Sequence, residues 1–456
     1  MAWFDMIPNE VLLKIFSYLT IDDLCLSVRD VCIRWRRASQ ANEIWKNLCF
    51  SPKRSASQEE IASRLRHMQN LRIFEYYGTC NVIGTLSEYC TRITVLRVSK
   101  IETPSALLKI TMERLTALRE LGILISLNKE GCELTHIIGQ SRTLDSLALY
   151  SSGTRSVTEG LLKPIADGCP NLNNLALKCG GDNYSDEEIC YLLECKKRQL
   201  DAYEHWGRVF PDFFVAINEC TNLEKLVFVS VENDSPFDQI PPITKLRKLT
   251  KLVFTCCKFP VVKKIPLTLF PEVFSQLSYI GLPLTLGNIN ALMNKILPKS
   301  PSLTHLTLEG NSQLHCKGFK NIRSCKNLAC LDVSYCSAFG KEAMKCVAEG
   351  CPQLQHLNVS SIPIPQKMFR QILKCTKLNT LLMRNCDLTD INLNLIPTNV
   401  TSLLYLYIGP QFQLADNVRY EMKRAMPQLV IKQASVSCDA SEYYGIKRDL
   451  TQNVPF

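Results

Sequence analysis

Leu303-Thr304-His305-Leu306-Thr307-Leu308 is one copy of a pattern (aliphatic, two residues, aliphatic, one residue, aliphatic) that starts at thirteen places in the chain. The first positions are Ile93, Leu118, Leu144, Leu172, Leu200, Leu223, Leu249, Leu277, Leu303, Leu328, Leu354, Leu378 and Leu403, so the period stays between 23 and 28 residues. A weaker copy precedes them at Met68, Leu71 and Ile73, and a truncated one follows at Leu429 and Ile431. Leu306 and Leu308 are two apart and face one side of an extended segment, with Thr307 on the other. Between copies lie stretches such as 341–348 (KEAMKCVA) and 366–373 (QKMFRQIL), whose apolar spacing is helical. A unit of this size cannot bury its three aliphatics alone, so each must stack on its neighbours. The expected fold is α/β: a solenoid with a parallel sheet inside and helices outside. About 14 strands spaced roughly 4.8 Å apart would span on the order of 65 Å.

The cysteines follow the same period. Cys90, Cys169, Cys220, Cys325, Cys351 and Cys375 each stand three residues before the first aliphatic of a copy. Cys179 and Cys256 lie seven after it, and Cys257, Cys336 and Cys386 eight after it. Half of the 22 cysteines thus occupy repeat-locked corners, where a small side chain with a weak donor packs well. Catalytic or metal-binding thiols would not recur in this way. With segments such as 351–359 (CPQLQHLNV) and 375–390 (CTKLNTLLMRNCDLTD), the chain resembles the cysteine-containing class of leucine-rich repeat, over roughly residues 65 to 431. That resemblance implies a horseshoe. The copy at Leu200 departs from it, with Tyr203 and His205 where aliphatics belong.

Composition fits a folded chain: 456 residues, 46% hydrophobic, 21% charged, with 53 basic against 43 acidic residues. No run of five or six like charges accompanies the net +10, so nucleic acid is not the expected partner. The first residues carry Asp5 and Glu10 without a basic run, unlike a signal peptide, and no uninterrupted apolar stretch approaches a membrane span. Reduced cysteines in the cytoplasm and/or nucleus are the consequent expectation.

The first 50 residues break the pattern. Residues 6–19 (MIPNEVLLKIFSYL) place Leu12, Ile15, Phe16 and Leu19 on one helical face after Pro8. Residues 22–35 (DDLCLSVRDVCIRW) predict a second helix capped by Asp22 or Asp23, with Leu24, Val28, Val31 and Trp35 on a common stripe. So few residues with so many large apolar side chains are too small to fold well alone, and some of that surface must meet a partner. The order Ile7-Pro8, Glu10, Ile15-Phe16-Ser17-Tyr18-Leu19, Asp23-Leu24, Val31-Cys32, Trp35 and Trp45 closely resembles an F-box. That resemblance implies a small all-α domain at 1–50 docking on a Skp-family adaptor, and through it a cullin and a RING subunit. The adaptor contacts it implies are Ile7, Pro8, Leu12, Ile15, Phe16, Leu19, Leu24, Val31 and Trp35. The alternative is a helical cap over the open end of the solenoid, which repeat arrays need.

Residues 51–66 read as a linker and helix, with Ser57 and Glu60 forming a capping box, then the solenoid at 67–431 and a tail at 432–456. The short connection favours a fixed relation between F-box and repeats; an ordinary loop is the bland alternative. No acid/base pair, Ser-His-Asp set or phosphate loop can be assembled, so no catalytic residue and no cofactor are expected. His305, His315, Cys316 and Cys325 divide between strand, turn and helix, and the paired C-x-x-C spacings of a RING or zinc ribbon are missing, so no metal site is expected. Inward positions of the strands include Tyr150, Lys178, Trp206, Val229, Lys251, Tyr279 and His305. Tyr150, Trp206, Val229, Lys251 and Tyr279 are the candidate contacts to a protein substrate; Lys178, Lys225 and Lys251 do not by themselves define a phosphate site. The expected function is the non-catalytic, substrate-choosing subunit of a Skp-cullin-F-box ubiquitin ligase. The alternative is a leucine-rich-repeat scaffold or inhibitor unconnected to ubiquitin.

Overall fold

Each copy of the aliphatic pattern lays down one short strand. The computed structural model describes residues 7–151, 159–179, 184–207, 209–229, 243–255, 273–283 and 288–433. Contacts divide the chain into two units, Met1–Arg208 and Val209–Phe456. The first carries β1 (Cys49–Phe50), β2 (Ile73–Glu75), β3 (Val95–Glu102), β4 (Glu120–Ile125), β5 (Ser146–Ser151), β6 (Asn174–Cys179) and β7 (Ala202–Trp206), each parallel to the next. The second carries β8 (Lys225–Val229), β9 (Lys251–Thr255), β10 (Tyr279–Gly281), β11 (His305–Thr307), β12 (Cys330–Asp332), β13 (His356–Asn358), β14 (Thr380–Met383), β15 (Tyr405–Ile408) and β16 (Val430–Gln433), again in parallel sequence order. The fold is an α/β solenoid in which strands alternate with helices or short helical turns. No helix among the described residues is long and apolar enough to cross a membrane.

Packing follows the pattern. Leu303, Leu306 and Leu308 are each fully buried, while His305 and Thr307 between them are half-buried on the other face. Helices such as Lys341–Gly350 and Gln366–Ile372 bury Met344, Val347, Met368 and Phe369 against the adjoining repeat. The sheet begins earlier than the periodicity indicates. β1 pairs with β2 in the register Cys49 to Ile73 and Phe50 to Phe74, and the rings of Phe50 and Phe74 lie 6.0 Å apart. Two residues are too few to show a period, which is why this strand is invisible in the sequence.

Past several strands of the second unit the chain turns through a left-handed residue at one repeat-locked position: Gly310, Tyr335, Ser361 and Asn385, with φ of 75°, 59°, 58° and 53°. Only glycine takes this conformation freely. The turn is held by an inter-repeat hydrogen bond from Gly310 N to Ser334 O at 2.8 Å, Tyr335 N to Ser360 O at 3.0 Å and Ser361 N to Arg384 O at 2.8 Å, while Asn385 donates through its side chain, Nδ2 to Ser361 Oγ at 3.3 Å.

The repeat-locked thiols also join neighbouring units. Cys90 Sγ donates to Met68 O at 3.4 Å, Cys169 to Ile138 O at 3.2 Å and Cys325 to Ser300 O at 3.4 Å. At the second site, Cys336 donates to Leu308 O at 3.1 Å and Cys386 to Val359 O at 3.2 Å. Burial pushes the Cys90 and Cys336 thiols up to about 12, so they stay protonated and can donate. Cys256 and Cys257, and the side chain of Cys179, lie outside the described residues.

Candidate functional site

In the N-terminal segment, α1 (Asn9–Phe16) starts after Pro8, whose extended backbone serves as N-cap. The predicted second helix is divided. Thr20 and Asp23 form a reciprocal cap, with Asp23 N donating to Thr20 Oγ1 at 3.1 Å and Thr20 Oγ1 to Asp23 Oδ2 at 2.6 Å. A wide turn, Asp23–Ser27, then leads into α2 (Val28–Val31). Cys32 is fully extended, with φ −165° and ψ 169°, and α3 (Ile33–Ser39) begins beyond it with Trp35 N donating to Cys32 Sγ at 3.4 Å. That break turns Val31 away from the common stripe. After α4 (Asn42–Trp45), Trp45 is fully buried and its Nε1 donates to Ser39 O at 2.7 Å. Arg34 closes the bundle, donating to Ile7 O and, at 2.9 Å, to Asn9 Oδ1.

The residues expected at an adaptor therefore separate by environment. Leu12, Phe16 and Leu24 are buried within the segment; Ile7, Leu19 and Trp35 are half-buried; Pro8, Ile15 and Val31 are exposed. Val11, Tyr18, Leu26 and Ile33 are exposed beside them, at 48, 76, 54 and 68%. Of the fourteen large apolar side chains exposed among the described residues, six fall between Val11 and Ile33. A contiguous stretch so rich in exposed apolar side chains marks an interaction surface rather than scattered surface residues. Of the missed members, Val11 had a signal: with the expected Ile15 it forms a second apolar stripe on α1, whose first stripe, Leu12 and Phe16, is already buried. A helix with two apolar stripes requires cover on both.

This segment is tied to the first repeat. α5 (Gln58–Leu65) starts with Ser57 Oγ accepting from Glu60 N at 3.1 Å, and Arg64 on α5 pairs with Asp22 at 3.0 Å. Asn70 Nδ2 donates to Gln40 O at 2.7 Å and Arg92 Nη1 to Asn42 Oδ1 at 3.0 Å.

On the inner face of the first unit, the rows across β2 to β7 are charged but self-neutralised. Arg97 bridges Glu75 and Glu120; burial disfavours its charge, but the two carboxylates more than offset this and hold the guanidinium above its ordinary value. Lys178 Nζ pairs with Glu204 at 3.3 Å and sits 5.6 Å from the Tyr150 ring and 5.9 Å from the Trp206 ring, while Trp206 Nε1 donates to Glu204 Oε1 at 2.6 Å. Burial, with Glu204 adding to it, pushes the Tyr150 phenol up to about 12. Tyr150 and Trp206 are thus gathered around one lysine, and Glu204, not signalled by any motif, completes the cluster.

The inner face of the second unit differs in charge. One register row runs Lys225, Lys251, Tyr279, His305, Cys330, His356, Thr380, Tyr405 and Val430, and contains no acid. Lys251 Nζ lies 4.5 Å from the Tyr279 ring centroid, and Tyr279 stacks on His305 at 5.8 Å and 17°. Thr304 Oγ1 lies 2.9 Å from His305 Nδ1. Val229 is half-buried on β8. The next row holds one acid, Asp332, buried and accepting from Ser334 N at 2.9 Å and Ser334 Oγ at 2.6 Å. Burial lowers the His305 imidazole, with His356 and Lys251 adding to the effect, and burial lowers His356. No group of three or more potential metal ligands is formed among the described residues.

Residues 4–51 match the family model described as F-box-like, so the chain carries an F-box-like domain there. Among solved structures, the chain is similar to an internalin from Listeria monocytogenes at 15% identity, covering 94% of each chain with a TM-score of 0.37. It is also similar to a chain of the Rad7 and Elc1 complex in yeast at 13% identity, covering 84% of this chain and 91% of that one with a TM-score of 0.47.

Proposed function

We propose that this chain is the non-catalytic, substrate-recognising subunit of a Skp-cullin-F-box ubiquitin ligase, working in the cytoplasm and/or nucleus. Its F-box-like domain docks on a Skp-family adaptor, and the repeats select a protein for ubiquitination by subunits acting in trans. The observation that carries this reading is the exposed apolar surface of Val11, Ile15, Tyr18, Leu26, Val31 and Ile33, which remains after the domain has packed on the first repeat. A mere end-cap would present a polar outer face, as repeat caps do. The ties from Arg64, Asn70 and Arg92 support a fixed direction of substrate presentation.

Purification of the tagged full chain from cells tests the proposal. Recovery with adaptor and cullin, lost on replacing Pro8 and Ile15 by polar residues, supports it. Stoichiometric capture of one target protein without adaptor or cullin favours the scaffold or inhibitor reading instead.

A further inference from the structure

We infer that the outer helical layer of residues 288–377, in the second unit, binds double-stranded DNA through its phosphate backbone. This stretch holds twelve of the 53 basic residues and four of the 43 acidic ones, a net +8 out of the chain's +10. All twelve basic residues are exposed. Two of the acids stand on the strand side, Glu309 half-buried after β11 and Asp332 buried in β12. The other two are already paired, Glu342 with Lys341 at 3.4 Å and Glu349 with Arg323 at 2.8 Å. The remaining ten cations have no carboxylate partner among the described residues.

The repeat period gathers these charges. Lys295, Lys320, Lys345 and Arg370 recur every 25 residues, at 18, 17, 17 and 16 places after Leu277, Leu303, Leu328 and Leu354. Lys317, Lys341 and Lys367 form a second row, 14, 13 and 13 places after the last three of those leucines. The helix Ile289–Ile296, the turn Cys316–Phe319 and the helices Lys341–Gly350 and Gln366–Ile372 pack on one another in sequence order. They turn Met293, Phe319, Met344 and Phe369 inward and leave the cations in solvent. Asn294 Nδ2 donates to Lys317 O at 2.8 Å and Arg323 reaches Glu349, which holds neighbouring units in line. At the usual spacing of packed helices the first row spans roughly 25–30 Å. Its members are a full repeat apart in sequence, so stacking assembles a patch that no run of like charges announces.

The chemistry of the patch selects the ligand. Ten of the twelve cations are lysines, point charges suited to phosphate, without the bidentate grip that arginine gives on bases. Among the described residues of the stretch, Tyr335 is the one large apolar side chain that is exposed, and it lies on the turn after β12, outside the helical layer. A protein partner would need aromatic or aliphatic anchors, an anionic membrane an apolar edge to insert, and a single strand aromatic rings for its bases to stack on. Duplex DNA needs none of these, since it presents one phosphate per ~1.7 Å of axis and binds lysine arrays by releasing counterions. If the first row neutralises four phosphates, log K falls with log salt at a slope of about −3.6, a loss of roughly 150-fold between about 50 and about 200 mM salt. A ligase subunit held in this way would meet clients that are themselves on DNA.

Fluorescence anisotropy of the full chain with a labelled duplex of about 20 base pairs tests this. The duplex should bind with that salt slope whatever its sequence. Lys320→Glu with Lys345→Glu should weaken binding at least about tenfold, and the milder Lys320→Gln with Lys345→Gln should reduce the slope by about 2. Lys109→Glu with Lys163→Glu, at two exposed lysines of the first unit, removes as much charge and should leave affinity within about twofold. Equal loss from the Lys109 and Lys163 pair, or no binding at about 50 mM salt, would overturn the inference. Tighter binding of duplex RNA, single-stranded DNA, a glutamate-rich peptide or phosphatidylserine vesicles than of the DNA duplex would overturn it as well.

Discussion

Phe16 on α1 and Trp35 on α3 meet edge to face, with ring centroids 5.3 Å apart and planes at 70°. This contact joins the two helices from inside and leaves Ile15 and Ile33 on the outside. Neighbours in sequence therefore have opposite roles. Phe16→Ala should cost about 3–5 kcal/mol in the stability of the domain through cavity formation. Ile15→Asp should change stability by no more than about 0.5 kcal/mol. Denaturant titration of the adaptor-free chain checks both, and equal destabilisation by the two would refute the division into core and docking surface.

Arg97 is the hinge of the charge balance on the first unit. Replacing it with methionine leaves the buried carboxylate of Glu75 and the half-buried one of Glu120 without their shared cation, and should destabilise the unit by about 3 kcal/mol. Adding Glu75→Gln and Glu120→Gln should restore most of the loss, because no uncompensated charge then remains. Thermal melting of the three proteins distinguishes this from simple loss of packing, which the added substitutions would not repair.

Thiol reactivity should follow the repeat. Cys32 and Cys195 are exposed, whereas burial pushes Cys325 up to about 11 and Cys375 and Cys330 up to about 12. Brief alkylation of the native chain at about pH 8 with mapping by mass spectrometry should modify Cys32 and Cys195 well before these buried thiols. Adaptor binding should then shield Cys32, which lies between Val31 and Ile33, and leave Cys195 unchanged.

His305 and His356 give the second unit a pH dependence of known sign. Their folded values lie below the ordinary imidazole value, so between the two the unfolded chain holds more protons and stability rises with pH. Stability should fall as pH drops through about 6.5 and continue falling until the folded-state values are passed. The double replacement by glutamine should flatten that slope in melts taken from about pH 7.5 to about pH 5.

The sequence made the repeats legible because burial there is periodic: Leu303, Leu306 and Leu308 vanish from solvent by the same arithmetic as Leu354, Leu357 and Val359. Cysteine register was legible for the same reason. Non-periodic features were not. β1 is only Cys49–Phe50, and the break at Cys32 depends on a backbone conformation that no composition rule signals. Around Trp206 the sequence identified the aromatic and the lysine but not Glu204, since pairing across β6 and β7 is set by register rather than by local pattern. Helical spacing likewise grouped Leu12 with Ile15, though the former is buried and the latter exposed.

Calorimetric titration of a Skp-family adaptor into the full chain tests the central claim most directly, comparing the natural sequence with the pair Ile15→Asp and Val31→Asp. The natural chain should bind one adaptor per chain, and the variant should lose binding by at least about a hundredfold, as expected for charges placed in an apolar interface core, while melting as the natural chain does. Undiminished binding by a normally folded variant, or no binding by the natural chain, would contradict the account.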